Sequence, residues 1–233
     1  MATTALTMET ATPEPEAAAA PRFEPLISLN AGWWARSSVG LAAPPGQALG
    51  AALSKPAGER GVGDRGARAR STIDGIELAG FIPVDLPATI LGALVGAGEI
   101  IDPYYGANLR KIPGQGPPAK NFSNFPMPED SPFRHAWWFR KELSLPAGFA
   151  PGMYASLQFD GINYRANVWF NGRLIAGREH VAGAYREFEL DVTPFVRRDG
   201  PNAIAVEVFP PEPCDLALTW VDWNPSPPDK NTG

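Results

Sequence analysis

Cysteine and histidine are nearly absent from this chain: one cysteine and two histidines in 233 residues. Cys214 has no partner for an intrachain disulfide, and His135 and His180 lie far apart in sequence with no cysteine cluster near them. A histidine-rich zinc site is therefore not expected, nor is any other metal or cofactor. No apolar run approaches the length of a membrane span, so no membrane partner is expected. Residues 1–20 carry neither the early basic charge nor the continuous apolar segment of a secretory signal, although secretion by another start is left open. Basic charge is also in short supply, with 20 Lys and Arg against 25 Asp and Glu. That balance argues against nucleic acid, whose phosphates favour a basic face.

What the chain does hold is alternation. In FDGINYRANVWFNG at 159–172, Ala166, Val168 and Phe170 alternate with Arg165, Asn167 and Trp169. A period of two is that of a half-buried strand. Asn171-Gly172 supplies the two residues most able to take positive φ, which predicts a type I′ hairpin turn. Similar runs predict strands over 137–145, 153–159, 173–176, 186–192 and 203–209, with Lys141 falling on the apolar face of the first. Short strands separated by turn residues indicate an all-β sandwich, here taken as a jelly roll. One short helix is expected after Thr89, whose hydroxyl can cap it, with Ile90, Leu91, Leu94 and Val95 on one face.

The flanks are less regular. Residues 1–25 are poor in large apolar side chains and are expected to form a disordered tail, with order beginning near Leu26. Trp33-Trp34 then reads as core. Residues 40–72, rich in Gly, Ala and Pro, are expected to be an irregular surface segment. Residues 102–132 read as an ordered loop held by Tyr104, Tyr105, Phe122 and Phe125.

Candidate chemistry gathers at Trp220-Val221-Asp222-Trp223-Asn224. Indole faces stack on sugar rings, while carboxylates and amides take hydroxyls through paired hydrogen bonds. From composition alone, the plainer reading makes Trp220 and Trp223 core anchors and Asp222 a turn residue. The strand ending at Asp160-Gly161 leaves Asn163, Tyr164 and Arg165 where they could meet a ligand.

The DGIN and VWFNG segments resemble the N-terminal sugar-binding domain of glycoside hydrolase family 2, the β-galactosidase, β-mannosidase and β-glucuronidase group. DPYYGANLRKIPG at 102–114, SPFRHAWWFRKE at 131–142, AGAYREFELDVT at 182–193 and WVDWNPSPPDKN at 220–231 are similar to the exo-β-D-glucosaminidases that trim chitosan. The resemblance implies that residues 26–233 are that jelly-roll domain, probing carbohydrate at the cleaved end through Asp222, Trp223 and Asn163, with Trp220 and Asn224 beside them. Arg165 is expected instead to pair with Asp160 or Asp222 and hold the loops in place. In this family the two catalytic glutamates stand on a later TIM barrel, preceded by an immunoglobulin-like domain. Neither domain is in this chain, so the polypeptide alone is expected to be inactive, the front fragment of a longer enzyme. The alternatives are a free-standing carbohydrate-binding module and the same domain from a β-mannosidase or β-galactosidase.

Overall fold

A computed structural model of the chain describes residues 4–10, 27–41, 47–56, 72–73, 76–77, 80–112, 129, 131–212 and 215, with the backbone alone at 7–10, 72–73, 76–77 and 109–110. Trp220, Asp222, Trp223, Asn224, Phe122 and Phe125 lie outside these residues.

Twelve strands are described: β1 Thr4–Thr10, β2 Ile27–Ser28, β3 Trp33–Ser37, β4 Thr72–Ile73, β5 Ile76–Glu77, β6 Ile82–Val84, β7 Trp137–Leu143, β8 Met153–Phe159, β9 Arg165–Phe170, β10 Arg173–Ala176, β11 Phe188–Asp191 and β12 Asn202–Phe209. They form one four-stranded antiparallel sheet, β11-β8-β1-β2, and one of six, β10-β9-β12-β7-β3-β6; β4 and β5 pair separately. Leu6, Leu157 and Phe159 from the smaller sheet and Trp33, Phe139, Val168, Phe170, Ile204 and Val206 from the larger share one core. This is the sandwich expected from the alternation, with strand-on-strand burial along both inner faces.

The predicted hairpin is present. Asn171 and Gly172 both have positive φ, 47° and 85°, and Arg173 faces Phe170 across the two-residue turn. The helix α2, Ile90–Gly96, begins as expected at Thr89, whose Oγ1 accepts the Gly92 amide at 3.0 Å. Ala93 and Leu94 carry its buried face, with Ile90 and Leu91 packed against the core beside them.

Three expectations need correction. Thr4–Thr10 is a strand within the segment read as a tail, and it pairs along its whole length with β8. Its stability comes from neighbours on both sides, which a local measure of hydrophobicity does not register. Second, the irregular segment contains a helix, α1, Gln47–Leu53, so the described chain has two α-helices and not one. Third, Tyr104 and Tyr105 do not hold their loop: they are 96% and 77% exposed. Asp102 holds it instead, its Oδ1 accepting the Tyr104 amide at 2.9 Å and its carbonyl the Asn108 side-chain amide at 3.0 Å.

Helix α1 also explains why Trp169, on the outward register of β9, is buried. It lies on the outer face of the six-stranded sheet, where Leu49, Ala52 and Leu53 meet Trp138, Trp169 and Ala205 in a second core. Trp138 and Trp169 pack with ring centroids 5.2 Å apart. The sheet's alternation is real, but α1 covers the part of the outer face that carries Trp138 and Trp169, while Arg165 and Asn167 stay half-buried. Seven residues are too few for a helix to persist by propensity, so tertiary contact must hold it. Arg140, 2% exposed, supplies part of that contact: Nε donates to the Leu53 carbonyl at 2.8 Å and Nη2 to that of Lys55 at 2.9 Å, while Glu142 balances its charge. Lys141, on the inner-facing register, escapes the core by reaching back to the Ala31 carbonyl beside Asp85; burial lowers its pKa and Asp85 partly offsets that.

Close approach of α1 depends on Gly50. A Cβ there would sit 2.2 Å from Cε2 of Trp169. Gly50→Ala should therefore lower stability by roughly 1–3 kcal/mol through overpacking, despite alanine's better helix propensity. Urea unfolding measures this; an unchanged or raised midpoint would mean that α1 is not seated on Trp169.

Candidate functional site

The site is assembled at the ends of β8, β9 and β12. Chain leaving β8 turns at Asp160-Gly161, anchors on Ile162, which is buried, and exposes Asn163 before β9 begins. The turn is tied down from the far side: the Ala166 amide donates to the Val181 carbonyl and the Gly183 amide to that of Tyr164, both at 3.0 Å. Asn163 thus stands on a braced loop, at the rim of an open cavity of about 120 Å³. Thr89, His135, Phe133, Trp137 and Phe209 are among the other residues around it, and Pro210-Pro211 closes one side. The wall is mostly aromatic and apolar with a few polar groups, the usual make-up of a small-molecule cleft.

Of the five residues the sequence nominates, the structure describes Asn163 alone. Trp220, Asp222, Trp223 and Asn224 are in the stretch that follows, beyond the described residues. What the structure does describe is the root of that stretch. Phe209, the last residue of β12, and Pro210-Pro211 after it line the cavity.

The expected role of Arg165 in holding loops has a different partner from those named. It pairs with Asp215, not with Asp160: Nε and Nη2 both donate to Oδ1, at 3.0 and 2.7 Å. The Asp215 side chain is 1% exposed. Its Oδ2 accepts the Glu212 amide at 2.9 Å, and its own amide donates to the Glu212 carbonyl at the same distance. Every side-chain oxygen of this buried carboxylate is therefore engaged, as burial of a charge requires. Hydrogen bonding to Asp215 raises the pKa of Arg165 still further above the ordinary guanidinium value. The same guanidinium lies 5.1 Å from the Tyr164 ring centroid, a cation–π contact with the residue next to Asn163.

A second clamp lies alongside. Arg178 pairs with Glu212 at 3.1 Å and covers the Phe209 ring at 4.4 Å. Its backbone amide donates to Asn167 Oδ1 at 2.8 Å, and the Asn167 amide group donates to Glu207 Oε2 at 2.9 Å. Burial raises the pKa of Glu207, opposed by that hydrogen bond and by the charge of Arg178. Sequence reasoning missed Asp215, Arg178 and Glu207. Their only signal is the pairing of Arg165 with Phe209 across β9 and β12, which local patterning does not reveal. Among the described residues, no group of three His, Cys, Asp or Glu side chains could hold a metal ion, and no helix is long and apolar enough to cross a membrane.

Comparison with known proteins agrees with this architecture. Residues 130–219 match the glycosyl hydrolase 2 galactose-binding domain-like family. The exo-β-D-glucosaminidase of Amycolatopsis orientalis is 32% identical over 160 residues, covering 68% of this chain and 14% of the relative. That of Streptomyces avermitilis is 36% identical over 160 residues, covering 68% and 16%. Among solved structures, the exo-chitosanase CsxA of Amycolatopsis orientalis superposes with a TM-score of 0.59 at 28% identity, covering 87% of this chain and 19% of that one. The chain spans less than a fifth of the length of these relatives.

The half-buried Glu207 makes one electrostatic expectation specific. Its folded pKa lies above its ordinary 4.5. The folded state therefore binds that proton more tightly than the unfolded state. Its contribution to stability is full below pH 4.5 and is lost as pH rises through the raised value. Glu207→Gln keeps an acceptor for Asn167 and removes the buried charge. Thermal melts should show the variant gaining on the parent between pH 4 and pH 7; a gap that shrinks over this range would reverse the assignment.

Proposed function

We propose that this chain, which carries the galactose-binding-like domain of glycosyl hydrolase family 2, forms the N-terminal sugar-binding wall of an exo-β-D-glucosaminidase-like enzyme acting on chitosan oligosaccharides. The observation that carries the reading is the position of Asn163. It sits exposed on a braced loop beside an aromatic-lined cavity, with Phe209, Pro210 and Pro211 along the cavity's other side. An amide there can both donate to and accept from sugar hydroxyls. Asp222 supplies the anionic acceptor that a protonated glucosamine amine favours, and Trp223 an apolar face for the ring.

The domain's part in the reaction is binding and orientation. Retaining hydrolysis takes two carboxyl groups about 5–5.5 Å apart, acting as acid/base and nucleophile. The candidate residues include one carboxylate, Asp222, and the described cavity is lined by none. The glutamates that perform the chemistry in this reading belong to a barrel of roughly 250 residues in the same enzyme. A group that binds the terminal sugar while others cleave it serves turnover by holding the reacting bond in line.

The test uses the native polypeptide that contains this sequence. Denaturing gel and mass spectrometry should find a product longer than 233 residues by at least a barrel; a product of 233 residues would favour a free binding module. In the complete enzyme, Asn163→Ala should weaken affinity for chitosan oligomers about fivefold, the worth of one neutral hydrogen bond. Asp222→Ala should cost at least about tenfold in kcat/KM, since a charged acceptor contributes more. Wild-type values for both variants would make these loop residues structural and remove the proposed wall.

A further inference from the structure

We infer that the cavity beside Asn163 takes an uncharged acetamido group, the substituent carried by the incompletely deacetylated units of a chitosan chain. The inference rests on the sugar-site reading above and names the part of the substrate that this cavity holds. A glucosaminidase removes a terminal unit with a free amine, so the acetylated unit is the one next to it.

Size, charge and free hydrogen-bonding groups support it. A volume of about 120 Å³ is many times the roughly 10–15 Å³ that admits one water, yet less than half of the ~300 Å³ at the lower end of whole-ligand pockets. The cavity therefore has room for a substituent and not for a complete sugar ring. No carboxylate lines it, so an ammonium group entering it would leave water without meeting an anion. A charge buried unpaired is strongly disfavoured. The free polar groups are neutral. Asn163 makes no side-chain hydrogen bond among the described residues, which leaves its carboxamide to donate to a carbonyl or accept from an N–H. Thr89 Oγ1 accepts the Gly92 amide at 3.0 Å and keeps its own proton for a second partner. His135 Nε2 and Trp137 Nε1 already donate to the Glu129 and Pro132 carbonyls, at 3.1 and 2.8 Å. Phe133, Trp137 and Phe209 supply the apolar wall. An acetamido group brings one donor, one acceptor and one methyl, and this set meets all three. A hydroxymethyl group would turn a hydroxyl toward the apolar wall.

The test gives the complete enzyme two disaccharides, glucosamine linked as in chitosan either to N-acetylglucosamine or to a second glucosamine. The ratio of their kcat/KM values should favour the acetylated one by at least about fivefold, the worth of one neutral hydrogen bond. Asn163→Asp keeps the side chain's shape and places an anion at the rim. It should bring the ratio below one, an inversion that a loop residue with a purely structural role would not produce. Ala88→Leu narrows the cavity and should bring the ratio close to one. Should Ala88→Leu fail to fold, the isosteric Asn163→Asp variant carries the test alone. Equal wild-type values for the two disaccharides, or a ratio that the variants leave unmoved, would overturn the inference while leaving the sugar wall standing. A wild-type enzyme that neither binds nor cleaves either disaccharide would overturn the sugar-site reading, and this inference with it.

Discussion

The outer face of the six-stranded sheet is apolar where it should be wet, and the rest of the structure follows from how that face is covered. Trp138 and Trp169 project from it side by side, a surface too large to leave in water. Helix α1 covers them, and it approaches closely because Gly50 presents no side chain to the indole. The buried Arg140 then satisfies carbonyls at the end of the helix, where a short helix would otherwise fray. Strand β9 is consequently packed on both faces at Trp169.

The C-terminal end of β9 is fixed by Asn171. Its side-chain amide donates to the Phe195 carbonyl at 2.8 Å and to Asn202 Oδ1 at 2.7 Å, while its Oδ1 accepts the Ala203 amide at 2.9 Å. Gly172 donates to Ser54 Oγ at 2.9 Å, joining the hairpin to the end of α1. These bonds tie β12 to the hairpin in one register, since a slip of one residue would turn every side chain to the other face. That register sets Phe209 opposite Arg165 at the far end. A turn about a strand's length away thereby helps determine which segment the Arg165 guanidinium can reach. The proposed sugar wall would draw on the same bracing, since a side chain contributes to orientation only if its own backbone is held.

Much of this was legible in the residues. The alternation over 153–159, 165–170 and 203–209 located three strands within a residue of their observed limits, because period-two burial is a local property. Asn171-Gly172 announced its turn and Thr89 its helix, since capping and positive φ are also local. Asn163 was legible as a loop residue at a strand end. By contrast, Thr4–Thr10 is a strand only because β8 and β2 flank it, and α1 is a helix only because Trp138 and Trp169 need cover.

By itself, then, the sequence determined the all-β sandwich, the hairpin, the capped helix and the loop position of Asn163, each from spacing within a few residues; the nomination of Asn163 as a sugar contact came from the family resemblance. The tertiary structure alone decided that Arg165 takes Asp215 as its partner, that Trp169 is buried on the outward register of β9, and that Tyr104 and Tyr105 stand in solvent. Those outcomes depend on which strand lies beside which and on what packs across them. Residues fifty positions apart, as Arg165 and Asp215 are, meet through strand order, and no local period encodes it.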